Sequence, residues 1–142
     1  MKIVLDASMA LAWHLERTDK KEAALARQAI QSVAIHGALV PALWYPEVAN
    51  GLLVAERRRV STEHGLAAFQ ADLAQLVISM DPAPPEATLS SVIALGRSSK
   101  LTGYDASYLE LVLRTGRTLA TFDRQLAEAA RSAGVRVFGD PV

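Results

Sequence analysis

The sequence predicts a single α/β domain in which helices cover both faces of a parallel sheet. Three observations carry that reading. Short apolar runs of β type recur along the chain, helical stretches separate them, and 142 residues are the length of one ordinary domain. A domain of this size buries about two-thirds of the surface its unfolded chain exposes, so it can build its own core.

Ile3-Val4-Leu5 reads as the first strand, and Asp6-Ala7-Ser8 ends it with helix-capping residues. A helix from Met9 to Leu15 follows, then a longer one through Glu22 to Arg27. Leu39-Val40, before Pro41, is a second buried strand. From about Leu43 to Arg58 the pattern is helical, with Pro46 tolerable only in the first turn. Ser61-Thr62 caps another helix, whose Leu66, Phe69, Leu73 and Leu76 share one face. A strand near Val77 to Met80 precedes the proline-rich Asp81-Pro82-Ala83-Pro84-Pro85, in which Pro85 suits a first helical position. Leu89, Val92 and Ile93 stripe that helix, and Gly96 lies near its end. Thr102 caps a helix carrying Leu109, Val112 and Leu113. Thr118 to Thr121 is a strand, Arg124 to Ser132 a helix stopped by Gly134, and Val135 to Phe138 a last strand. No repeat, low-complexity segment or linker interrupts the chain, so residues 1–142 form one domain.

Composition narrows the function. Hydrophobic residues at 51% and charged residues at 21% exclude a disordered chain. The absence of cysteine excludes a disulfide framework, a thiolate zinc site and a cysteine nucleophile. Fifteen basic residues balance fifteen acidic ones, so polyanion binding must come from local patches. No run approaches the ~18 apolar residues of a membrane span. Met1-Lys2-Ile3-Val4-Leu5 resembles the opening of a signal peptide, but Asp6, His14 and Glu16 break the apolar region. The expectation is a soluble, cytoplasmic protein without membrane partners. Gly37, Gly65, Gly96 and Gly103 are isolated and make no phosphate loop, and His14, His36 and His64 lack metal-ligand spacing.

The carboxylates are more informative. Ligands of an open parallel sheet bind beyond the carboxyl ends of its strands. Asp6 directly follows the first strand, and Asp123 stands two residues after Thr121. Each also suits a helix N-cap. Asp105 precedes Leu109 by four residues and Val112 by seven, heading the apolar stripe of its helix. A carboxylate aimed at a core is costly unless compensated, although Thr102-Gly103-Tyr104-Asp105 also matches a capping box. Glu47 adjoins the inner face marked by Val48, Gly51, Leu52 and Ala55, where a first-turn glutamate also suits the helix dipole.

Jointly, four carboxylates on four elements can meet at one end of the sheet, with only Arg124 adjacent to any of them. Two like charges ~4 Å apart repel by ~4 kcal/mol at an effective dielectric near 20. Such a group needs protons or a cation, and hard oxygen donors point to Mg²⁺ or Mn²⁺ rather than zinc. A haloacid-dehalogenase-type phosphatase needs Asp-x-Asp after the first strand, and Asp6-Ala7-Ser8 lacks the second acid. A response-regulator receiver needs paired acids there and a late lysine at a strand end, and Lys100 is not so placed.

Val4-Leu5-Asp6-Ala7-Ser8, Pro46-Glu47-Val48-Ala49-Asn50, Thr102-Gly103-Tyr104-Asp105-Ala106 and Ala120-Thr121-Phe122-Asp123 resemble, in order, the four acidic motifs of PIN-domain proteins. More narrowly they resemble VapC-type toxins of bacterial toxin–antitoxin pairs, from residue 3 to about 138. Ala7, where a hydroxyl residue is commoner, and Pro46 before the acid are the two departures.

The resemblance implies a three-layer α/β/α sandwich with a mostly parallel central sheet, and a Mg²⁺-dependent endoribonuclease. Asp6, Glu47 and Asp105 would hold one Mg²⁺, with Asp123 assisting it or a second ion. Ser8, Asn50 and Thr121 could orient ligands or water, or serve as caps. Products would carry 5′-phosphate and 3′-hydroxyl ends. The implied partners are an RNA substrate, a second copy in a homodimer, and a cognate antitoxin forming a hetero-oligomer. The antitoxin's C-terminal segment would lie in an apolar groove of the early helices and present an arginine to the acids. Arg57-Arg58-Arg59, Arg97 with Lys100, and Arg114 with Arg117 and Arg124 are the basic groups available to RNA. Trp13, Trp44 and Tyr45 are candidates for an interface, with core packing the alternative. A non-catalytic partner-binding protein and a metal-dependent nuclease acting on DNA are the competing readings.

Overall fold

The structure is a computed structural model that describes residues 2–141, so Met1 at the head of the apolar opening lies outside it. Four three-residue strands are β1 (Ile3–Leu5), β2 (Ala38–Val40), β3 (Ile78–Met80) and β4 (Thr118–Ala120). They pair throughout in parallel, in the order β3-β2-β1-β4, with Ile3 beside Ala38 on one side and Leu5 beside Ala120 on the other. Seven helices flank them: α1 (Ala7–Leu11), α2 (Lys20–His36), α3 (Trp44–Arg57), α4 (Glu63–Leu73), α5 (Pro85–Ser99), α6 (Gly103–Thr115) and α7 (Arg124–Ser132). Helix α1 contacts α2 and α3, and α6 contacts α5 and α7; with right-handed crossovers the two groups cover opposite faces of the sheet, the predicted α/β/α layering.

Three fully buried strands, β1, β2 and β4, explain why the sheet is a core. Every residue of β1 is buried, as are Val40, Leu119 and Ala120, and Leu109, Leu111 and Val112 of α6 pack in the same cluster. Helix starts follow their caps. Asp19, Thr62, Thr102 and Asp123 each accept a first-turn amide, and Pro85 opens α5.

Some expectations change. The last strand shrinks to one parallel bridge, Val137 beside Leu119, because the backbone turns at Gly139, where φ is +96°. The first helix covers Ala7–Leu11 rather than Met9 to Leu15, since the chain enters it directly from the Asp6 cap. Leu76 lies beyond the end of α4. The α5 stripe is inverted. Val92 faces the core, but Leu89 and Ile93 are 57% and 49% exposed. Leu113 likewise leaves the α6 core face.

Candidate active site

Two adjacent strands fix the site. Connections leave β1 toward β2 and later return to β4 on its other side, so the chain reverses direction between β1 and β4. That switch point is where doubly wound sheets open a crevice. Asp6 and Thr121 are the residues just past these strands, and Asp6 N–H donates to Ala120 O at 3.0 Å. The Asp6 side chain is buried, at 6% exposure. Its Oδ2 accepts from the hydroxyls of Ser8 and Thr121, the latter at 2.7 Å. Those hydroxyls accept in turn from the amides of Phe122 and Asp123, each at 2.9 Å. Burial pushes the Asp6 carboxyl up, the two hydroxyls oppose the rise, and Asp123 adds to it.

Glu47 arrives on the first turn of α3. This helix comes close to α1 at Gly51, where a Cβ would lie 2.5 Å from Leu11 Cδ1. A larger residue there would have to displace the end of the Leu11 side chain. Glu47 Oε1 accepts from Tyr108 Oη at 2.6 Å. Burial raises the Glu47 carboxyl, Tyr108 opposes this, and the charges of Asp6 and Asp105 reinforce it. Asp105 stands in the first turn of α6, where its amide donates to Thr102 Oγ1 at 3.2 Å. The cap and site readings are therefore compatible, since the backbone of Asp105 uses the cap while its side chain lines the acidic pocket. Burial, then the charges of Asp123 and Asp6, push the Asp105 carboxyl up to about 6. Lys100, in the left-handed conformation at φ 56°, turns α5 into α6, and its carbonyl accepts from Gln125 at 3.0 Å. That bond ties the end of α5 to the start of α7.

Asp123 caps α7, accepting from Leu126 N–H at 2.9 Å, and still borders the pocket. Asp6, Glu47, Asp105 and Asp123 thus line one cavity of about 310 Å³, with Ser8, Asn50 and Gly51. None of the four makes an ion pair among the described residues. Asp81, past β3 at the same end of the sheet, is the contrast. Arg114 grips it at 2.6 and 3.2 Å and also holds Glu110 at 2.8 Å. Although burial raises the Asp81 carboxyl, Arg114 holds it below its usual range.

The basic groups are rearranged. Arg114 is consumed by Asp81 and Glu110, and Arg117 precedes β4, at the opposite end of that strand from Asp123. Arg57 to Arg59 close α3, about 15 Å along the helix from Glu47. Lys100 and Arg124 remain near the acids in the chain. Arg17, which the sequence did not single out, stacks over Phe122 at 4.3 Å from the ring centroid. His14 stacks on Phe69 and bonds Ser61 at 2.6 Å, a packing role. Trp44 is core, at 3% exposure, and Trp13 donates to Ala26 O at 3.0 Å.

The model of the PIN domain matches residues 3–132. The chain belongs to the PIN-domain family. Its similarity to Ribonuclease VapC3 of Pyrobaculum aerophilum is 32% identity over 130 residues, covering 90% of this chain and 94% of that protein, which places it among VapC-like PIN domains. The crystal structure of PAE2754 from Pyrobaculum aerophilum superposes with a TM-score of 0.63 at 24% identity, over 91% of this chain and 87% of that one. FitAcB from Neisseria gonorrhoeae gives 0.54 at 15% identity, over 98% and 97% of the two chains. Both crystal structures share the PIN fold described here.

The donor chemistry of this PIN domain suits a hard divalent cation. The polar side chains of its pocket are carboxylates, one hydroxyl and one amide, and among the described residues no arginine or lysine pairs with its acids. Among the described residues no three of these groups are already drawn into a closed cation cluster.

Proposed function

We propose that this PIN domain is the toxin of a toxin–antitoxin pair, a metal-dependent endoribonuclease that hydrolyses RNA phosphodiester bonds. The supporting observation is the set of four carboxylates from four elements around one pocket at the β1/β4 switch point, without ion-pair partners among the described residues. Asp6, Glu47 and Asp105 would hold Mg²⁺, or Mn²⁺ in its place, with Asp123 assisting. Bound there, the ion lowers the pKa of water and offsets charge on the scissile phosphate. Ser8 and Thr121 keep Asp6 in one orientation through its Oδ2. Lys100, Arg124 and Arg17 attract the RNA backbone toward an otherwise anionic pocket.

The partner reading has its own surface. An apolar groove of about 560 Å³ lies between α3 and α4, lined by Trp44, Val48, Leu52, Leu53, Leu66 and Leu73. It flanks Glu47 on the same helix, so a segment of the antitoxin seated there could direct an arginine at the acids. In the groove wall, the Trp44 indole N–H is buried and makes no hydrogen bond among the described residues. The exposed Leu89 and Ile93 of α5 offer apolar area to a second copy of the chain.

The test is cleavage of labelled RNA and labelled DNA of one sequence in Mg²⁺ and in EDTA, with product ends mapped. RNA cut only with Mg²⁺, leaving 5′-phosphate and 3′-hydroxyl ends, supports the reading. Cleavage of DNA in preference to RNA would replace it with a DNA nuclease, and cleavage of neither with a partner-binding protein.

A further inference from the structure

Tyr108 lies one helical turn after Asp105 and is completely buried, at 0% exposure. Phenylalanine would fill that core space without placing a polar atom in it. A buried hydroxyl costs stability unless bonded, and the side-chain bond this one makes is its 2.6 Å donation to Glu47 Oε1, 61 residues away. Glu47 has little else to hold it. It sits in a first turn whose cap, Leu43, gives no side-chain bond, and its Oε2 has no partner among the described residues. A glutamate has three side-chain torsions, and fixing one carboxylate oxygen orients the other. One side chain therefore links the segment that carries Asp105 to the segment that carries Glu47.

We infer that Tyr108 is a positioning residue, which holds Glu47 by Oε1 so that Oε2 is presented to the cation shared with Asp6 and Asp105. This rests on the metal-dependent reading proposed above. The phenol is not itself a ligand and does not touch substrate. A merely structural tyrosine would change the stability of the metal-free protein and leave cation affinity alone.

The experiment is calorimetric titration with Mn²⁺ of wild type, Tyr108→Phe, Glu47→Gln and the double variant, with metal-free melts and RNA cleavage measured on the same samples. Groups that orient a ligand typically contribute roughly 10–100-fold in metal affinity. Tyr108→Phe is expected to weaken Mn²⁺ binding by that factor and to lower kcat more than it alters KM, with a small change in metal-free Tm. In the Glu47→Gln background the same substitution should have no further effect, because its partner carboxylate is gone. Glu47→Asp, which keeps the charge but shortens the reach to the phenol, should weaken Mn²⁺ comparably and serves if Tyr108→Phe folds poorly. Unchanged or tighter Mn²⁺ binding in Tyr108→Phe, or an equal loss in both backgrounds, overturns the inference while leaving the metal-dependent reading intact. A wild-type protein that binds no Mn²⁺ overturns both.

Discussion

The Thr121 hydroxyl donates to Asp6 Oδ2 at 2.7 Å, joining residues 115 positions apart at the ends of two neighbouring strands. Thr121 Oγ1 in turn accepts from Asp123 N–H, so one hydroxyl orients one carboxylate and anchors the segment bearing another. Thr121→Val keeps the shape and removes both bonds. Leaving a buried acceptor short of a donor costs about 1–3 kcal/mol. The urea midpoint of the metal-free protein should fall accordingly with an unchanged m-value, and RNA cleavage should weaken. An unchanged midpoint would mean that Ser8 alone satisfies Asp6.

Asp105 and Asp81 should respond oppositely to the same change. Asp105→Asn removes one charge from a repelling group, so it should abolish RNA cleavage and leave metal-free stability equal or higher. Asp81→Asn weakens the grip of Arg114 and should lower stability by about 1 kcal/mol, because the pair is partly exposed, while retaining cleavage. Wild-type cleavage by Asp105→Asn would reduce that residue to a structural one.

These two acids also show what was legible in the sequence. Helices α4 to α7 were readable because Thr62, Pro85, Thr102 and Asp123 are local signals, each acting within a few residues. The meeting of Asp6 and Asp123 was readable because strand ends in a parallel sheet share an edge, and Glu47 and Asp105 were readable as acids beside the apolar faces of their helices. Pairings across the fold were not. Nothing near Asp81 predicts Arg114, 33 residues on, and nothing near Glu47 predicts Tyr108. The stripe of Leu89, Val92 and Ile93 misled for a related reason. Periodicity shows that a helix has an apolar side, but in α5 only Val92 of the three reaches the core, and the other two stay at the surface.

The groove between α3 and α4 can be separated from the pocket by one substitution. Leu53 is exposed and lines the groove, so Leu53→Asp should alter stability by no more than about 0.5 kcal/mol. A charge placed there should prevent capture of the co-expressed antitoxin and restore toxicity in its presence, with cleavage of RNA by the isolated protein unchanged. Full capture by the variant would move the partner to another surface.

Divalent metal should stabilise the protein in a pH-dependent manner. Asp105 is raised from 3.8 to about 6, and Asp6 and Glu47 are raised as well. A folded state that holds protons more tightly than the unfolded one gains stability below the unfolded pKa and loses it as pH rises through the folded value. For Asp105 that loss falls between about pH 4 and 6, and amounts to roughly 1–2 kcal/mol once solvent screening of a half-buried group is allowed for. A cation that binds only the folded, ionised pocket opposes the loss, by ~2.7 kcal/mol at a hundredfold excess over its dissociation constant. Melts in EDTA, Mg²⁺ and Mn²⁺ at pH 5 and 7.5 read both effects. The metal-free Tm should be lower at pH 7.5, and the metal-induced rise should be larger there. That rise should shrink in Asp6→Asn and in Asp105→Asn, because each removes a charged donor from the pocket. An equal rise in wild type and both variants would place the ion elsewhere on the molecule and leave the four carboxylates without the role assigned to them.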